Sequence, residues 1–161
     1  MEAQAPATLT GRIHHTARKS IRVLGKIPQR GPEMKPRGLW YAMGSAWWDW
    51  CHGEEFRDLT KVRAYRLDID TTHFAMLKTE RDVREFTKRF SVPAYPGARL
   101  NQIDWSAVAT QFKGLEVDPY LYTLRFQSGF LWYYGLDVPG GCLWDYSALR
   151  GTEKVFDPYK T

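Results

Sequence analysis

The sequence predicts a single α+β domain, on three observations. Stretches with the alternating pattern of strands and stretches with the i, i+3/i+4 spacing of helices are mixed along the chain, without the regular βαβ order of a doubly wound sheet. The 161 residues are 43% hydrophobic, which suits one sizeable core and leaves little for a second. No internal repeat or low-complexity tract interrupts them.

The elements follow in order. Residues 1–8 are small and polar with one proline and read as a disordered lead-in, so the domain covers 9–161. Leu9 to Thr16 has strand character, and the spacing of Ile21 and Leu24 suggests a short helix over Ala17 to Leu24. Gly25 to Pro36 contains Gly25, Pro28, Gly31, Pro32 and Pro36 and is expected to be a loop, of a length that is often functional. Gly38 to Ala42 reads as a buried strand, with Ser45 the N-cap of an aromatic helix over Ala46 to Cys51. Lys61 to Ile69 alternates so that Tyr65, Leu67 and Ile69 share the face to be buried. Phe74 to Leu77 is a further strand, and Thr79 caps a helix over Glu80 to Phe90 with Val83 and Phe86 turned inward. Pro93 to Arg99 is turn-rich. Asp104 caps a helix over Trp105 to Phe112, Lys113-Gly114 ends it, and Leu115 to Val117 starts another strand. Pro119 to Tyr134 reads as helix or strand alike. Gly135 to Gly141 is expected as a loop, Cys142 to Asp145 as a short buried strand and Ser147 to Arg150 as a closing turn.

Composition narrows the function classes. No stretch approaches the roughly 18 apolar residues of a membrane span, and the N-terminus lacks the apolar block of a signal peptide, so a soluble cytoplasmic protein without a membrane partner is expected. Cys51 and Cys142 are too few for a disulfide framework and form no CxxC pair, which predicts reduced, buried thiols. Cys51-His52 lacks a zinc-ligand spacing, and no metal site is expected. Charge is uneven: residues 1–37 carry eight Lys or Arg against two acids, and the remainder fifteen against sixteen. That basic segment attracts phosphate, whether of a nucleotide, a nucleic acid or another anionic partner, unless it is simply a solvated face. Seven Trp suggest a thick aromatic core, a ring-stacking site, or both.

Three groups of residues are candidates for chemistry. His14-His15-Thr16 ends the opening strand. Gly38-Leu39-Trp40-Tyr41-Ala42, with Ser45 and the Trp47, Trp48, Trp50 cluster, can form a slot for a flat ring. Gly140-Gly141 enters a strand where a ligand or another backbone can come close.

In that order these motifs resemble the ADP-ribosyltransferase family, in its poly(ADP-ribose) polymerase and diphtheria-toxin-like branch. The resemblance implies a split mixed or antiparallel sheet with flanking helices, NAD as the cofactor, and transfer of ADP-ribose to a macromolecular acceptor, protein or nucleic acid. It puts His14 on the NAD ribose, with His15-Thr16-Ala17 as the other register. It puts Trp40 against nicotinamide and Trp47 or Trp48 on the second wall, within a motif of Gly38 to Ala42 with Ser45. Arg18 or Arg37 would meet the pyrophosphate. The family's third motif carries a glutamate where this chain has Gly140, so the acid must come from Glu116, Asp118 or Asp137. Two other readings stay open: a catalytically inactive relative that binds a nucleotide or nucleic acid, and a small protein-interaction or inhibitor domain.

Overall fold

The computed structural model describes residues 3–160. Seven strands form one hydrogen-bonded sheet in the order β4-β7-β8-β2-β1-β3-β9. The strands are β1 (Arg12–Thr16), β2 (Leu39–Met43), β3 (Arg63–Ile69), β4 (Phe74–Leu77), β7 (Gly114–Val117), β8 (Gly140–Leu143) and β9 (Leu149–Phe156). A separate hairpin pairs β5 (Ser91–Pro93) with β6 (Asn101–Ile103). Only β4 and β7 run parallel; the other neighbours are antiparallel, which makes the sheet mixed and the domain α+β. The helices are α1 (Ala46–Gly53), α2 (Glu80–Phe90), α3 (Trp105–Ala109) and α4 (Leu131–Tyr134).

The best-signalled elements form for the reasons their sequences give. In α2 the Thr79 hydroxyl accepts from the Asp82 N–H while the Asp82 carboxylate accepts from the Thr79 N–H, closing a capping box, and Val83, Phe86 and Phe90 are buried. Asp104 caps α3 by accepting from the Ala107 N–H, although the helix stops at Ala109, short of Phe112. In β3 the Tyr65, Leu67, Ile69 face is buried as its alternation requires. Indole packing dominates the core beneath β4, β7 and β8. Trp105 meets Trp132 and Trp144 edge-on at 6.0 and 6.2 Å, and each indole N–H finds a partner.

Several expectations need correction. Residues 17–24 form no helix: Arg18 and Arg22 repel at i, i+4, and so short a segment with one anchored apolar residue, Ile21, cannot offset the cost of nucleation. Residues 3–8, expected as a disordered lead-in, are tied to the domain. The Trp48 indole donates to the Ala3 carbonyl, and the Thr8 hydroxyl to the Val155 carbonyl. Gly140 and Gly141 belong to β8 rather than to the preceding loop. The closing turn expected over Ser147 to Arg150 gives way at Leu149 to β9, which runs to Phe156 and is the longest strand of the sheet. Its exposed, charged sequence hides the signal, because β9 is an edge strand fixed by pairing with β3. The aromatic stretch 119–134 contains α4 and one short helical turn, and no strand.

The feature that positions the site is a local failure of pairing. β1 and β2 pair at only two positions, Arg12 with Met43 and Ile13 with Ala42, and then part. The parting opens a wedge within one continuous sheet. Beyond the last pair, the His14 ring supplies the bond that a backbone N–H would have made: its Nδ1–H donates to the Trp40 carbonyl at 2.5 Å.

Candidate functional site

A cavity of about 240 Å³ occupies this wedge. Its walls are Trp40 from β2 and Trp47 from α1, with Ile13, Leu115 and Val117 adding apolar surface. Its floor is the backbone of Gly140 and Gly141. The loop residues Leu136, Asp137 and Val138 and the Lys35 side chain, which lies against Gly135, complete the lining. Drug-sized ligands fill roughly 300–1,000 Å³, so this space suits one planar ring and leaves the rest of a larger ligand outside.

The flat floor has a steric cause. A Cβ on Gly140 would run into the Tyr41 carbonyl and stand 2.8 Å from the Ala42 Cα; one on Gly141 would meet the Leu115 carbonyl and stand 2.6 Å from the Tyr41 ring. The sheet therefore has no room for a glutamate at 140.

The three acidic candidates lie in different surroundings. Glu116 is buried, pointing away from the cavity that its neighbours Leu115 and Val117 line. Its carboxylate accepts from Arg12 Nε at 2.6 Å, from Arg12 Nη2 at 3.3 Å and from the Tyr41 hydroxyl at 2.8 Å. The last bond passes over Gly141, which stands between the two residues in the sheet register. Asp118 is exposed beyond the end of β7. Asp137 alone among the three lines the cavity, with the Arg125 guanidinium 3.9 Å from its carboxylate. Burial raises its pKa, partly opposed by Lys35 and Arg125. Its backbone sits at φ 65°, with the Val138 N–H donating to the Leu136 carbonyl at 2.7 Å, a γ-turn of the rare positive-φ kind. Such strain costs on the order of 1–3 kcal/mol and clusters at functional sites.

Glu116 thus acts structurally. Glu116→Gln should lower stability by about 3 kcal/mol in denaturant titration, because it leaves Arg12 without its counter-charge, while ligand affinity at the cavity stays within a few-fold of wild type.

The other candidates separate as clearly. Trp48 is 2% exposed and belongs to the core behind α1, so the second indole wall is Trp47. Ser45 precedes α1, but its hydroxyl donates to Asp49 Oδ2 at 2.8 Å instead of capping the helix. Arg37 is held by Glu33 and by Gln29 and does not line the cavity. Gly38 lies against the Leu143 carbonyl and the Thr16 hydroxyl accepts from the Arg18 N–H; neither lines the cavity. Lys35, counted in the sequence only among the cations of the basic segment, lines the cavity and holds its ammonium 5.9 Å from the centre of the Trp40 ring. Its signal was its place in the breaker-rich loop just before the Trp40 strand.

Both histidines line the cavity, in different states. Burial lowers the His14 pKa, against the bond to Trp40, with Arg18 and Arg57 adding to the fall. Since Nδ1 carries the proton, Nε2 is left as an acceptor. His15 has neither ring nitrogen hydrogen-bonded, and burial pushes it down to about 4, with His14, Arg57 and His52 contributing. An imidazole titrating near 4 when folded and near 6.5 when unfolded leaves stability intact above about pH 6.5. Between those values the unfolded chain takes the proton and the folded one does not. Unfolding free energy should therefore fall as pH drops from 6.5 towards 4, by up to about 1.4 kcal/mol per pH unit for this group. His15→Phe should flatten that limb in denaturant titrations at each pH. Carboxylates held low in the fold, such as Asp82 and Asp145, act in a separate window that begins below their unfolded pKa.

Among the described residues no group of three or more His, Cys, Asp or Glu is gathered for a metal, and no helix is long and apolar enough to cross a membrane. Cys51 and Cys142 are free and buried. Comparison of the chain with known protein families, with curated proteins and with solved structures gives no match.

Proposed function

We propose that the chain binds NAD by its nicotinamide-ribose end and transfers ADP-ribose to a macromolecular acceptor. The observation that carries this reading is the wedge cavity itself, lined by two indoles and by a glycine pair that the neighbouring strands leave no room to extend by a Cβ, with one strained carboxyl and a neutral, clamped imidazole beside them. A flat, electron-poor ring is the ligand such a slot favours. NAD supplies the chemistry of a leaving pyridinium, which departs with the electron pair of its glycosidic bond and leaves positive charge on the ribose.

Each residue has a task in that reaction. Trp40 and Trp47 hold the ring and exclude water. His14 Nε2 accepts from a ribose hydroxyl, its own tautomer fixed through Nδ1. Asp137, ionised, stabilises the developing positive charge in a site of reduced dielectric, where such an interaction is stronger than in water. Lys35 faces the anionic part of the ligand outside the slot.

A second reading is favoured by the lack of room at Gly140: a nucleotide-binding relative without turnover. Titration with NAD while following tryptophan fluorescence and nicotinamide release together separates the two. Quenching with release supports the transferase. Quenching without release in the presence of candidate acceptors supports the binding domain, and no response removes NAD from the site.

A further inference from the structure

Arg125 stands in the middle of the short helical turn Leu124–Phe126, with its side chain 16% exposed and its Nε buried without a hydrogen-bond partner among the described residues. A guanidinium so placed has lost most of its water and needs ring faces or a counter-charge to offset the loss. It has both. Its central carbon lies 4.2 Å from the centre of the Tyr134 ring, 5.3 Å from that of Phe126 and 5.9 Å from that of Tyr120. The counter-charge is Asp137, 19% exposed, at 3.9 Å. Arg12, Arg66 and Arg84 approach their carboxylates to 2.6 Å or less. The Arg125 pair stops beyond hydrogen-bond reach, so the guanidinium attracts the Asp137 carboxylate without occupying its oxygens.

Both partners are fixed by structure that does not depend on their pairing. Tyr120 and Tyr133 stack with ring centres 4.8 Å apart, the Tyr120 hydroxyl donates to the Tyr133 carbonyl at 3.0 Å, and the Tyr133 hydroxyl accepts from the Leu121 N–H at 2.7 Å. Phe126 meets Tyr134 edge-on at 5.9 Å. The rings around Arg125 are thereby held by one another, and three residues after Tyr134 the positive-φ turn fixes the backbone of Asp137. The other titratable groups facing Asp137 are Lys35 before β2, Cys51 and Glu54 at the end of α1, and Tyr120. Burial raises the Asp137 pKa, Lys35 and Arg125 oppose the rise, and Glu54 adds to it. Cys51 and Tyr120 stay protonated, since burial pushes the thiol up to about 11 and raises the phenol as well.

We propose that Arg125 is the positioning residue of the site: held on aromatic faces, its charge keeps the Asp137 carboxylate at the cavity while leaving both oxygens free for the ligand. Direct hydrogen bonds, such as Arg12 and Tyr41 make to Glu116, would occupy those oxygens. A lysine at 125 would carry the same charge on a flexible stem with no flat face to lay on the rings, so the planar fork is what places the charge. The pairing stands without catalysis; only the use of the carboxylate against a forming ribose cation rests on the transferase reading.

The test is the titration of the Asp137 carboxyl in the full chain without NAD, followed by carbon-13 NMR, with Asp137→Asn to assign the resonance. Arg125→Met keeps the aliphatic stem and removes the charge; it should raise the Asp137 pKa by about 1–3 units, the usual effect of losing an opposite charge at such a distance. Arg125→Lys should recover part of that shift. Circular dichroism checks that the variants fold, and if Arg125→Met does not, Tyr134→Leu, which removes the nearest ring face, should move the pKa in the same direction by less. In turnover, the acid limb of nicotinamide release should move to higher pH by the same amount in Arg125→Met, with release above that limb within a few-fold of wild type. A merely structural role would lower release equally at every pH. An unchanged Asp137 pKa in Arg125→Met, equal shifts in the Met and Lys variants, or a loss of release with no movement of the limb would each overturn the proposal. A chain that shows the pKa shift but releases no nicotinamide keeps the pairing and loses the transferase.

Discussion

Trp40→Ala should raise the dissociation constant for NAD by a factor of roughly 5 to 150, the equivalent of about 1–3 kcal/mol of ring stacking, measured by calorimetry. The effect is expected to be specific because Trp40 is only partly buried, while its backbone carbonyl, which holds His14, remains in the variant. Trp40→Phe should restore part of the affinity, since a smaller aromatic face remains. Trp47→Ala should weaken binding in the same direction. Trp48→Ala should instead cost about 3–5 kcal/mol of stability, because it opens a hole behind α1. Unchanged NAD affinity in Trp40→Ala would remove nicotinamide from the wedge.

Asp137→Asn should lower nicotinamide release by about 10²–10³-fold while leaving NAD affinity within a few-fold, the pattern of a group that acts on charge formed only in the transition state. The same variant should be at least as stable as wild type. Burial raises the Asp137 pKa in the fold, so its contribution to stability is complete only below the unfolded value and is lost as pH rises through the folded one. At neutral pH the carboxylate is thus a liability that the amide removes. Asp137→Gly should go further, since glycine adopts φ 65° without penalty; a gain of about 1 kcal/mol corresponds to roughly 2–4 °C in Tm. Release should also fall as pH drops through the raised pKa of this carboxyl. Full turnover in Asp137→Asn would eliminate it as the acid.

Much of the local structure was legible in the chain. Thr79 and Asp82 announce α2 to the residue, and the alternation at Tyr65, Leu67 and Ile69 gives the buried face of β3, because caps and period depend on neighbours close in sequence. Strand β4 likewise begins and ends where its apolar run does. Edge strand β9 was not legible, since its charged residues are held by ladder bonds to β3 that no local pattern encodes.

The site divides along the same line. Residues that line the cavity, His14, Trp40, Trp47 and the Gly140-Gly141 pair, could be chosen from their order along the chain. Their division of labour was decided by tertiary structure. Alternation about Leu115 and Val117 turns Glu116 to the other face, where Arg12 and Tyr41 neutralise it, and a strained turn brings Asp137 to the cavity instead. By itself the sequence determined an α+β domain, its helix caps and the chemistry on offer, which are consequences of short-range sterics and hydrogen bonding. Only the fold decided that β1 and β2 part after two pairs and that one indole of an adjacent pair faces a cavity while the other is core, because both depend on packing between segments far apart in the chain.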